Sequence, residues 1–251
     1  MEKNEVHCQR EDLNMKNKAL RDVQREWMEN IVNRYVEQNR DVVFSHPFFF
    51  GIPEALENQS CVMIVGQEPD GFDPYSLDLS LEKLQQWVID YLMVQIEETT
   101  GKINPSPFWE AFRLMRKAGK YVLWNNIDKM HRLKIENGKN KTIILSRGDE
   151  EELNRPYGKE NRSLLQREIE IVHPIAIWLA IGPYREEAIE DSFGLSKGTL
   201  NSYRPCKNNW LFEIGKHLNL DIPVYWTYHP KYLNFLKALP DCVQQIAAPQ
   251  K

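Results

Sequence analysis

Three apolar runs in the sequence end in side chains that can do acid–base chemistry or read the edge of a nucleobase. The first run, Val62–Val65, continues into a turn that carries an amide and two carboxylates: Gly66, Gln67, Glu68, Pro69, Asp70 and Gly71. Asn125 and Asn126 follow a second run, Tyr121–Trp124. His229 comes shortly after another run, Val224–Thr227. A carboxylate near a low-dielectric cleft stabilises developing positive charge, and an asparagine amide offers a donor and an acceptor at fixed geometry.

These side chains need a scaffold that brings them together. Short runs rich in β-branched and aromatic residues, bounded by Gly, Pro or Asn, are typical of buried strands. Such runs occur four times, at Val62–Val65, Tyr121–Trp124, Ile175–Ile181 and Val224–Thr227. Helical patterns separate them, which predicts right-handed crossovers and a three-layer α/β/α fold around a central four-stranded, mainly parallel sheet. All four carboxyl ends would then share the edge where open α/β sheets bind ligands.

The helical segments complete this prediction. Apolar residues recur at helical spacing in Ala19–Gln38, and Ser106, Pro107 and Gly119 mark both ends of a later helix. Further helices are predicted near Ser80, over Leu164–Val172, over Arg185–Glu190 and over Trp210–Leu218. With no linker and no internal repeat, the 251 residues predict a loose segment at 1–18 and a single domain at 19–245.

Composition limits the classes of partner. The net charge of −4 argues against an indiscriminate polycation, although one basic face is enough to bind nucleic acid. Arg113–Arg147 carries ten basic residues against two acidic ones, and its Lys134–Lys141 part is equally well explained as a solvated loop. The polar start and the lack of a long apolar run predict no secretory signal and no membrane partner, hence a cytoplasmic protein, or a nuclear one in a eukaryote.

The four cysteines are Cys8, Cys61, Cys206 and Cys242, and none forms a C-x-x-C pair. This spacing indicates neither a zinc site nor a disulfide framework, and His229 has no partner at metal-ligand spacing. We therefore expect no metal and no other cofactor.

The motifs at the strand ends resemble those of the uracil-DNA glycosylase superfamily over roughly residues 45 to 240. Members share a Gly-x-x-Pro turn after one strand, an Asn at the end of a middle strand and a His-Pro after the last strand. Here these are Gly66–Pro69, Leu123–Asn126 and Tyr228–Pro230, and His173–Gly182 looks like the third strand of the superfamily. The cysteine ligands of the iron–sulfur branch are missing, so the chain resembles a divergent member without a cluster.

The resemblance implies a monofunctional DNA N-glycosylase, which flips a nucleotide out of DNA and hydrolyses the N-glycosidic bond to leave an abasic site. Glu68 would orient water and stabilise an oxocarbenium-like sugar, and His229 would hydrogen-bond the leaving base. Asn126, with Lys129 three residues on, fits the Asn-x-x-Lys spacing of the iron–sulfur branch. Asn125 fits the alignment of the founding family equally well, and we rank Asn126 first.

The resemblance also assigns contacts to DNA and to the base. Leu233 would wedge into the duplex, and Lys231 and Lys129 would contact the DNA backbone. The base pocket would be formed by Gln67, Asp70, Gly71, Asn125, Asn126 and Phe72, with Tyr75 as an alternative stacking ring to Phe72.

One departure from the founding family concerns the substrate. That family has a Tyr after the Pro of the first motif, packed against C5 of uracil, where this chain has Asp70 followed by Gly71. A carboxylate and a glycine leave room for a C5 substituent. The expected target is uracil or a bulky C5-modified cytosine, hydroxymethylated or glucosylated as in phage DNA, which would suit either repair or anti-phage defence.

Two alternatives stay open at this point. One is a catalytically inactive DNA-binding protein of the same fold, because Glu68 is one methylene longer than the Asp of the founding family. The other is an enzyme of small nucleotides, against which the absence of G-x-G-x-x-G, Walker-type and G-x-S-x-G motifs argues. The expected partner is single- or double-stranded DNA, with no obligate protein partner.

Overall fold

The structure of the protein is a computed structural model that describes residues 2–56, 59–69, 71–76, 78, 80–97, 103–136 and 138–248. In chain order its strands are β1 (Val43–Phe44), β2 (Cys61–Gly66), β3 (Tyr121–Asn126), β4 (Arg132–Glu136), β5 (Lys139–Ile143), β6 (Ala176–Leu179), β7 (Leu211–Glu213) and β8 (Val224–Thr227).

The helices are α1 (Glu2–Trp27), α2 (Asn33–Gln38), α3 (Leu81–Glu97), α4 (Pro107–Lys117), α5 (Arg147–Asn154), α6 (Leu164–Val172), α7 (Glu186–Phe193), α8 (Pro230–Phe235) and α9 (Leu239–Ala247). A π-helical stretch, Met28–Val32, joins α1 to α2, and single 3₁₀ turns occupy Glu54–Leu56, Asn201–Tyr203 and Gly215–Leu218. No helix in the described part of the chain is both long enough and apolar enough to cross a membrane.

The central sheet has five strands in the order β3-β2-β6-β8-β7. The four predicted strands are parallel to one another, which confirms a mainly parallel α/β sheet. Every residue of β2, β6 and β8 is buried, so both faces of the sheet are covered. Because the strands are parallel, their carboxyl ends lie along one edge, with Gly66 directly opposite Asn126.

The fifth strand was not predicted. Trp210–Leu218 was expected to be a helix, but Leu211–Glu213 pairs antiparallel with β8 and only Gly215–Leu218 turns as a 3₁₀ helix. Gly215 leaves no room for a side chain, because a Cβ there would lie 2.4 Å from the carbonyl oxygen of Ile222. The prediction of a helix was wrong because the same apolar spacing also suits a short edge strand. That strand pairs with β8, which lies further along the chain.

A second, smaller sheet lies outside the central one. It joins β1, β4 and β5 in that order, and β4 and β5 form an antiparallel hairpin whose turn contains Gly138 at φ +73°. The hairpin occupies the Lys134–Lys141 segment, for which a solvated loop was one expectation. Its lysines are exposed, as expected for either structure.

The start of the chain also differs from the expectation. Residues 1–18 were predicted to be loose, whereas α1 already begins at Glu2. From Leu20 onward this helix buries an apolar stripe that includes Val23 and Trp27. The division into a single domain at 19–245 stays a prediction.

Candidate functional site

A cleft of about 660 Å³ opens at the carboxyl edge of the central sheet. We call it the strand-end cleft; its polar lining consists mainly of Gln67, Glu68, Asn126, His229 and Lys231. These side chains lie at or just after the ends of β2, β3 and β8, so the ends of three strands converge on one cavity. Its volume falls within the range of about 300–1,000 Å³ that is usual for small-molecule pockets.

The turn after β2 is held in place from both sides. Gln67 donates a side-chain hydrogen bond of 2.6 Å to the carbonyl of Ile181, beyond the end of β6. Its own carbonyl accepts from the backbone N–H of Asp128 at 2.9 Å, beyond the end of β3. Glu68 is half-buried in this turn and lines the cleft. The carboxylate is therefore carried by a turn with little freedom to move.

The sequence did not decide which of Asn125 and Asn126 reads the base. The structure gives the two side chains different surroundings. Successive residues of a strand point to opposite faces, so only one of the pair can face the cleft. Asn126 lines the cleft, and Asn125 points into the core, where it donates to Glu168 at 3.0 Å. Among the described residues, Asn126 Nδ2 is buried and has no hydrogen-bond partner, while its Oδ1 accepts from Trp124 Nε1 at 3.1 Å.

Glycine at position 66 is required by this arrangement. A Cβ there would lie 2.6 Å from Asn126 Oδ1 and 3.1 Å from the ring of Phe108. The first contact is closer than real Cβ atoms show and the second is tighter than most of them, so both neighbours would have to shift. The Gly of the Gly-x-x-Pro turn thus makes room for the amide and for one aromatic wall of the cleft.

Lys129, expected to contact DNA, lies in the core. Its ammonium is 2% exposed and donates to Glu168 at 2.5 Å and to Asn125 Oδ1. Burial lowers the pKa of Lys129, and the charge of Glu168 opposes that change. The expected DNA contact is therefore wrong for this conformation. Lys129 instead holds Asn125, whose Oδ1 also accepts from the backbone N–H of Asn126 at 2.8 Å.

His229 faces the cleft with one defined hydrogen-bonding end. Its Nδ1 accepts from the backbone N–H of Lys231 at 3.2 Å, so the neutral ring carries its proton on Nε2. Burial, followed by the charge of Lys231, lowers the pKa of His229 and favours that neutral form. The ring lies nearly parallel to Phe108, with centroids 6.0 Å apart. His229 can thus offer one neutral N–H donor to a group in the cleft.

Two further expectations for the base pocket have different outcomes. Gly71 lines the cleft at φ +78°, and nothing lies within 4 Å of where its Cβ would be, so this wall is open. Asp70 lies outside the described residues. Phe72 is 6% exposed and packs edge-on against the cleft-lining Trp87 with centroids 4.8 Å apart, and it does not itself line the cleft. The expected stacking on a base by Phe72 is wrong, and Tyr75 does not line the cleft either.

The aromatic walls of the cleft were missed by the sequence reasoning. They are formed by Trp87, Tyr91, Phe108, Trp109 and Trp124. Trp87 and Tyr91 stack at 5.5 Å with ring planes 12° apart, and Trp87 is 46% exposed. The signal in the sequence was the helix start at Ser106 and Pro107, which places Phe108 and Trp109 in the first turn of α4. That helix start was predicted, but not its position beside the ends of β2 and β3.

Two expected DNA contacts remain, Lys231 and Leu233. Lys231 is exposed and lines the cleft. Leu233 is completely buried in the main apolar core and cannot insert between bases in this conformation. The expected wedge is wrong because Leu233 lies on the inner side of α8. Its exposed neighbours on that helix are Tyr232, at 40%, and Phe235, at 78%.

No protein-family model matches the sequence, and no curated protein is significantly similar to it. Within the described residues, no group of three or more His, Cys, Asp or Glu side chains is arranged to hold a metal ion.

The cleft joins three chemical capacities. Glu68 can stabilise positive charge or orient a water molecule, Asn126 can donate to an acceptor, and His229 can donate to a group that gains negative charge. The amino-terminal end of α4, at Ser106 and Pro107, also lines the cleft and adds a weak positive potential. Aromatic walls suit a planar ring. A reaction in which a planar group departs as an anion from a cationic centre fits this set.

Proposed function

We propose that the protein is a DNA glycosylase of the uracil-DNA glycosylase type, with the three-layer α/β/α arrangement of that superfamily, which acts on DNA inside the cell. The observation that carries the proposal is the unpartnered donor of Asn126, buried in the same cleft as Glu68 and His229. A buried donor without a partner costs about 1–3 kcal/mol. A ligand acceptor, such as a carbonyl oxygen or ring nitrogen of a flipped pyrimidine, would remove that cost.

In the proposed reaction the N-glycosidic bond breaks with both electrons passing to the base. The sugar becomes oxocarbenium-like, and the Glu68 carboxylate stabilises its positive charge and orients the attacking water. The water oxygen then bonds to C1′ of the sugar and loses a proton to Glu68 or to solvent. The products are a free base and an abasic site.

The departing base carries the negative charge. The Nε2–H of neutral His229 donates to it, and Lys231 and the amino-terminal end of α4, which line the same cleft, contribute positive potential. A neutral donor costs less to bury than a charged imidazolium, and the lowered pKa of His229 agrees with that role.

The size of the cleft favours a substituted base. The cavity of about 660 Å³ has an open wall at Gly71 and an aromatic shelf at Trp87 and Tyr91. A planar pyrimidine that binds Asn126 and His229 is smaller than this cavity. We infer that the remainder accommodates a bulky C5 substituent, with hydroxymethylated or glucosylated cytosine as the preferred target over uracil and anti-phage defence as the setting.

The direct test is a panel of DNA duplexes and single strands that carry uracil, cytosine, 5-hydroxymethylcytosine or glucosylated 5-hydroxymethylcytosine at one position. We expect the purified protein to leave an alkali-labile abasic site at the modified cytosine. Release of uracil alone would contradict the enlarged pocket. Binding of the panel without release of any base would favour the inactive DNA-binding protein instead.

Tyr232 and Phe235 take the place of Leu233 in the proposed contact with DNA. Both are exposed aromatic side chains on α8, directly after His229, and their ring centroids are 6.0 Å apart. Stacking on a base contributes about 1–3 kcal/mol per residue. We therefore expect Phe235→Ala to weaken binding of DNA by about 5- to 150-fold with little loss of folding stability.

Fluorescence polarisation with labelled oligonucleotides measures this effect. Ile175→Ala is the matched control, because Ile175 is also an exposed apolar side chain, at 39%, but precedes β6 at the opposite edge of the sheet. Equal affinity of Phe235→Ala, Tyr232→Ala and the control would exclude these two aromatic side chains from the DNA contact.

A further inference from the structure

Trp124 holds the side-chain amide of Asn126 in one orientation. The two residues are two positions apart on β3, so their side chains leave the same face of the strand. Trp124 Nε1 donates to Asn126 Oδ1 at 3.1 Å, and both side chains are buried. An indole N–H is a donor only, so a flipped amide would set its own N–H groups against that donor. The oxygen of Asn126 therefore faces Trp124.

The indole itself has little freedom to turn. Trp124 is 7% exposed, and the ring centroids of Phe48, Trp109 and Tyr91 lie 4.6, 4.8 and 5.9 Å from its own. Because such a wall is close-packed, a rotation of the indole would have to displace its neighbours. The hydrogen bond to Asn126 thus belongs to the packed wall of the cleft and not to a mobile surface.

The other side of the Asn126 oxygen is closed by β2. Gly66 lies opposite Asn126 in the ladder, and a Cβ built on Gly66 would lie 2.6 Å from Oδ1, so the oxygen packs against the backbone of this glycine. Asn126 Nδ2, in contrast, is buried and has no hydrogen-bond partner among the described residues. Of the two ends of the amide, only the donor end is left for a ligand.

Pyrimidine bases differ in what they ask of such an amide. Uracil and thymine carry a hydrogen on ring nitrogen N3, and an amide matches them by donating to O4 while it accepts from N3–H. Cytosine has no hydrogen on N3, and its N3 and O2 are both acceptors. The two N–H groups of an amide can therefore bind cytosine without any use of the amide oxygen.

We propose that Trp124 determines which pyrimidine edge the cleft reads, and that the base is a cytosine derivative and not a uracil or thymine derivative. This assignment rests on the role of Asn126 in the proposed function. Trp124 occupies the amide oxygen, so the N3–H of a bound uracil would find no acceptor on Asn126. Trp124 is thus a positioning residue that acts through Asn126 and needs no contact with the base.

The amino group of cytosine does not cancel this preference. C4, which carries that group, is next to C5, so the amino group lies beside the C5 substituent. In the proposed function that substituent extends to the open wall at Gly71, where water can accept from the amino group. N3 lies at the middle of the edge, against the buried amide. A donor at N3 is therefore costly, and a donor on C4 is not.

The test compares two duplexes that differ at one base, 5-hydroxymethylcytosine or 5-hydroxymethyluracil, which share the same C5 substituent. Single-turnover rates give the ratio of release of the two bases by the wild type and by Trp124→Phe, which keeps a ring but loses the N–H. The same substrates are used for both proteins, so the intrinsic difference between the leaving groups cancels. We expect the ratio to shift towards hydroxymethyluracil by about 5- to 150-fold in Trp124→Phe, the equivalent of one unpaired buried donor.

Trp109→Phe is the matched control. Trp109 lines the same cleft and is 4% exposed, and no hydrogen bond joins it to Asn126 in the described part of the chain. We expect this variant to keep the ratio of the wild type. The ratio is measured within each preparation, so partial loss of folded protein does not change it. An equal ratio in the wild type and in Trp124→Phe would overturn the assignment.

A binding measurement on the wild type needs neither a variant nor base release. The same duplexes are prepared with 2′-fluorinated sugars, in which the fluorine disfavours a cationic sugar, and their affinities are measured by fluorescence polarisation. We expect hydroxymethylcytosine to bind about 5- to 150-fold more tightly. Equal or tighter binding of hydroxymethyluracil would contradict the assignment. If hydroxymethylcytosine is preferred but no base is released from the unfluorinated duplexes, the proposed reaction fails and the reading of the base stands.

Discussion

Replacement of Glu68 by Gln is expected to slow base release by about 10²- to 10⁴-fold and to leave the affinity for DNA nearly unchanged. The amide has the shape of the carboxylate but no charge to stabilise a cationic sugar, and it cannot take a proton from water. Glu68 lines the cleft from a turn fixed by Gln67 on both sides, so the substitution should not move the surrounding backbone. The loss should therefore fall on the chemical step.

Single-turnover kinetics on the best substrate of the panel, with alkali cleavage of the product, measure that step separately from binding. Glu68→Asp tests the length of the side chain: the carboxylate remains, so we expect activity between those of the wild type and of Glu68→Gln. Glu160→Gln controls for the loss of one negative charge at an exposed site, since Glu160 is 64% exposed. Full activity of Glu68→Gln would exclude this carboxylate from the reaction.

The part of the site that sequence could predict is the part set by local pattern. Apolar runs that end in Gly66, Asn126 or His229 identify parallel strands, and parallel strands bring their carboxyl ends to one edge. The strand ends meet at that edge whatever the packing of the helices. The cleft therefore contains the polar groups that the strand ends predicted.

The expectations that failed depend on partners far away in the sequence. Lys129 is buried because Glu168, 39 residues later, enters the core from α6 to pair with it. Leu233 and Phe72 are packed inward by helices whose orientation the local pattern does not contain. The choice between Asn125 and Asn126 turns on which face of β3 meets the cleft, and a strand of buried residues on both faces gives no alternation from which to read it.

The strands at the edges of the two sheets could not be predicted from the sequence either. β7 has three residues and its ladder partner is β8, and the hairpin of β4 and β5 is mostly exposed. Short or exposed strands carry little apolar periodicity, so their existence depends on the neighbour that supplies the hydrogen bonds. The aromatic residues of α3 and α4 in the cleft walls could not be predicted for a related reason. The packing of these helices on the sheet brings the residues to the strand ends, and the sequence pattern of each helix does not specify that packing.

The largest effect on stability is expected at the buried pair behind Asn126. Lys129→Met leaves the Glu168 carboxylate, which is completely buried, without its charge partner. Removal of one partner of such a pair typically costs about 3–5 kcal/mol, a large part of a folding stability of about 5–15 kcal/mol. We expect a correspondingly lower urea midpoint. Lys159→Met, at an exposed position, is the control and should change stability by no more than about 0.5 kcal/mol.

The converse substitution gives a pH dependence of defined sign. In Glu168→Gln the ammonium of Lys129 loses its only described ion pair, and burial, which already lowers its pKa, favours the neutral amine. The folded state then binds fewer protons than the unfolded state, in which lysine titrates near about 10.4. Stability of this variant should therefore rise with pH towards 10, more steeply than that of the wild type.

The double variant Lys129→Met/Glu168→Gln separates the charge pair from the packing around it. Both charges are gone, and the new amide can still accept from Asn125, which holds the backbone of Asn126. Because replacing both members of a buried pair is often neutral, we expect stability within about 1–2 kcal/mol of the wild type and retained base release. A double variant as unstable as Lys129→Met would show that the ion pair itself, and not the avoidance of a lone buried charge, maintains the end of β3.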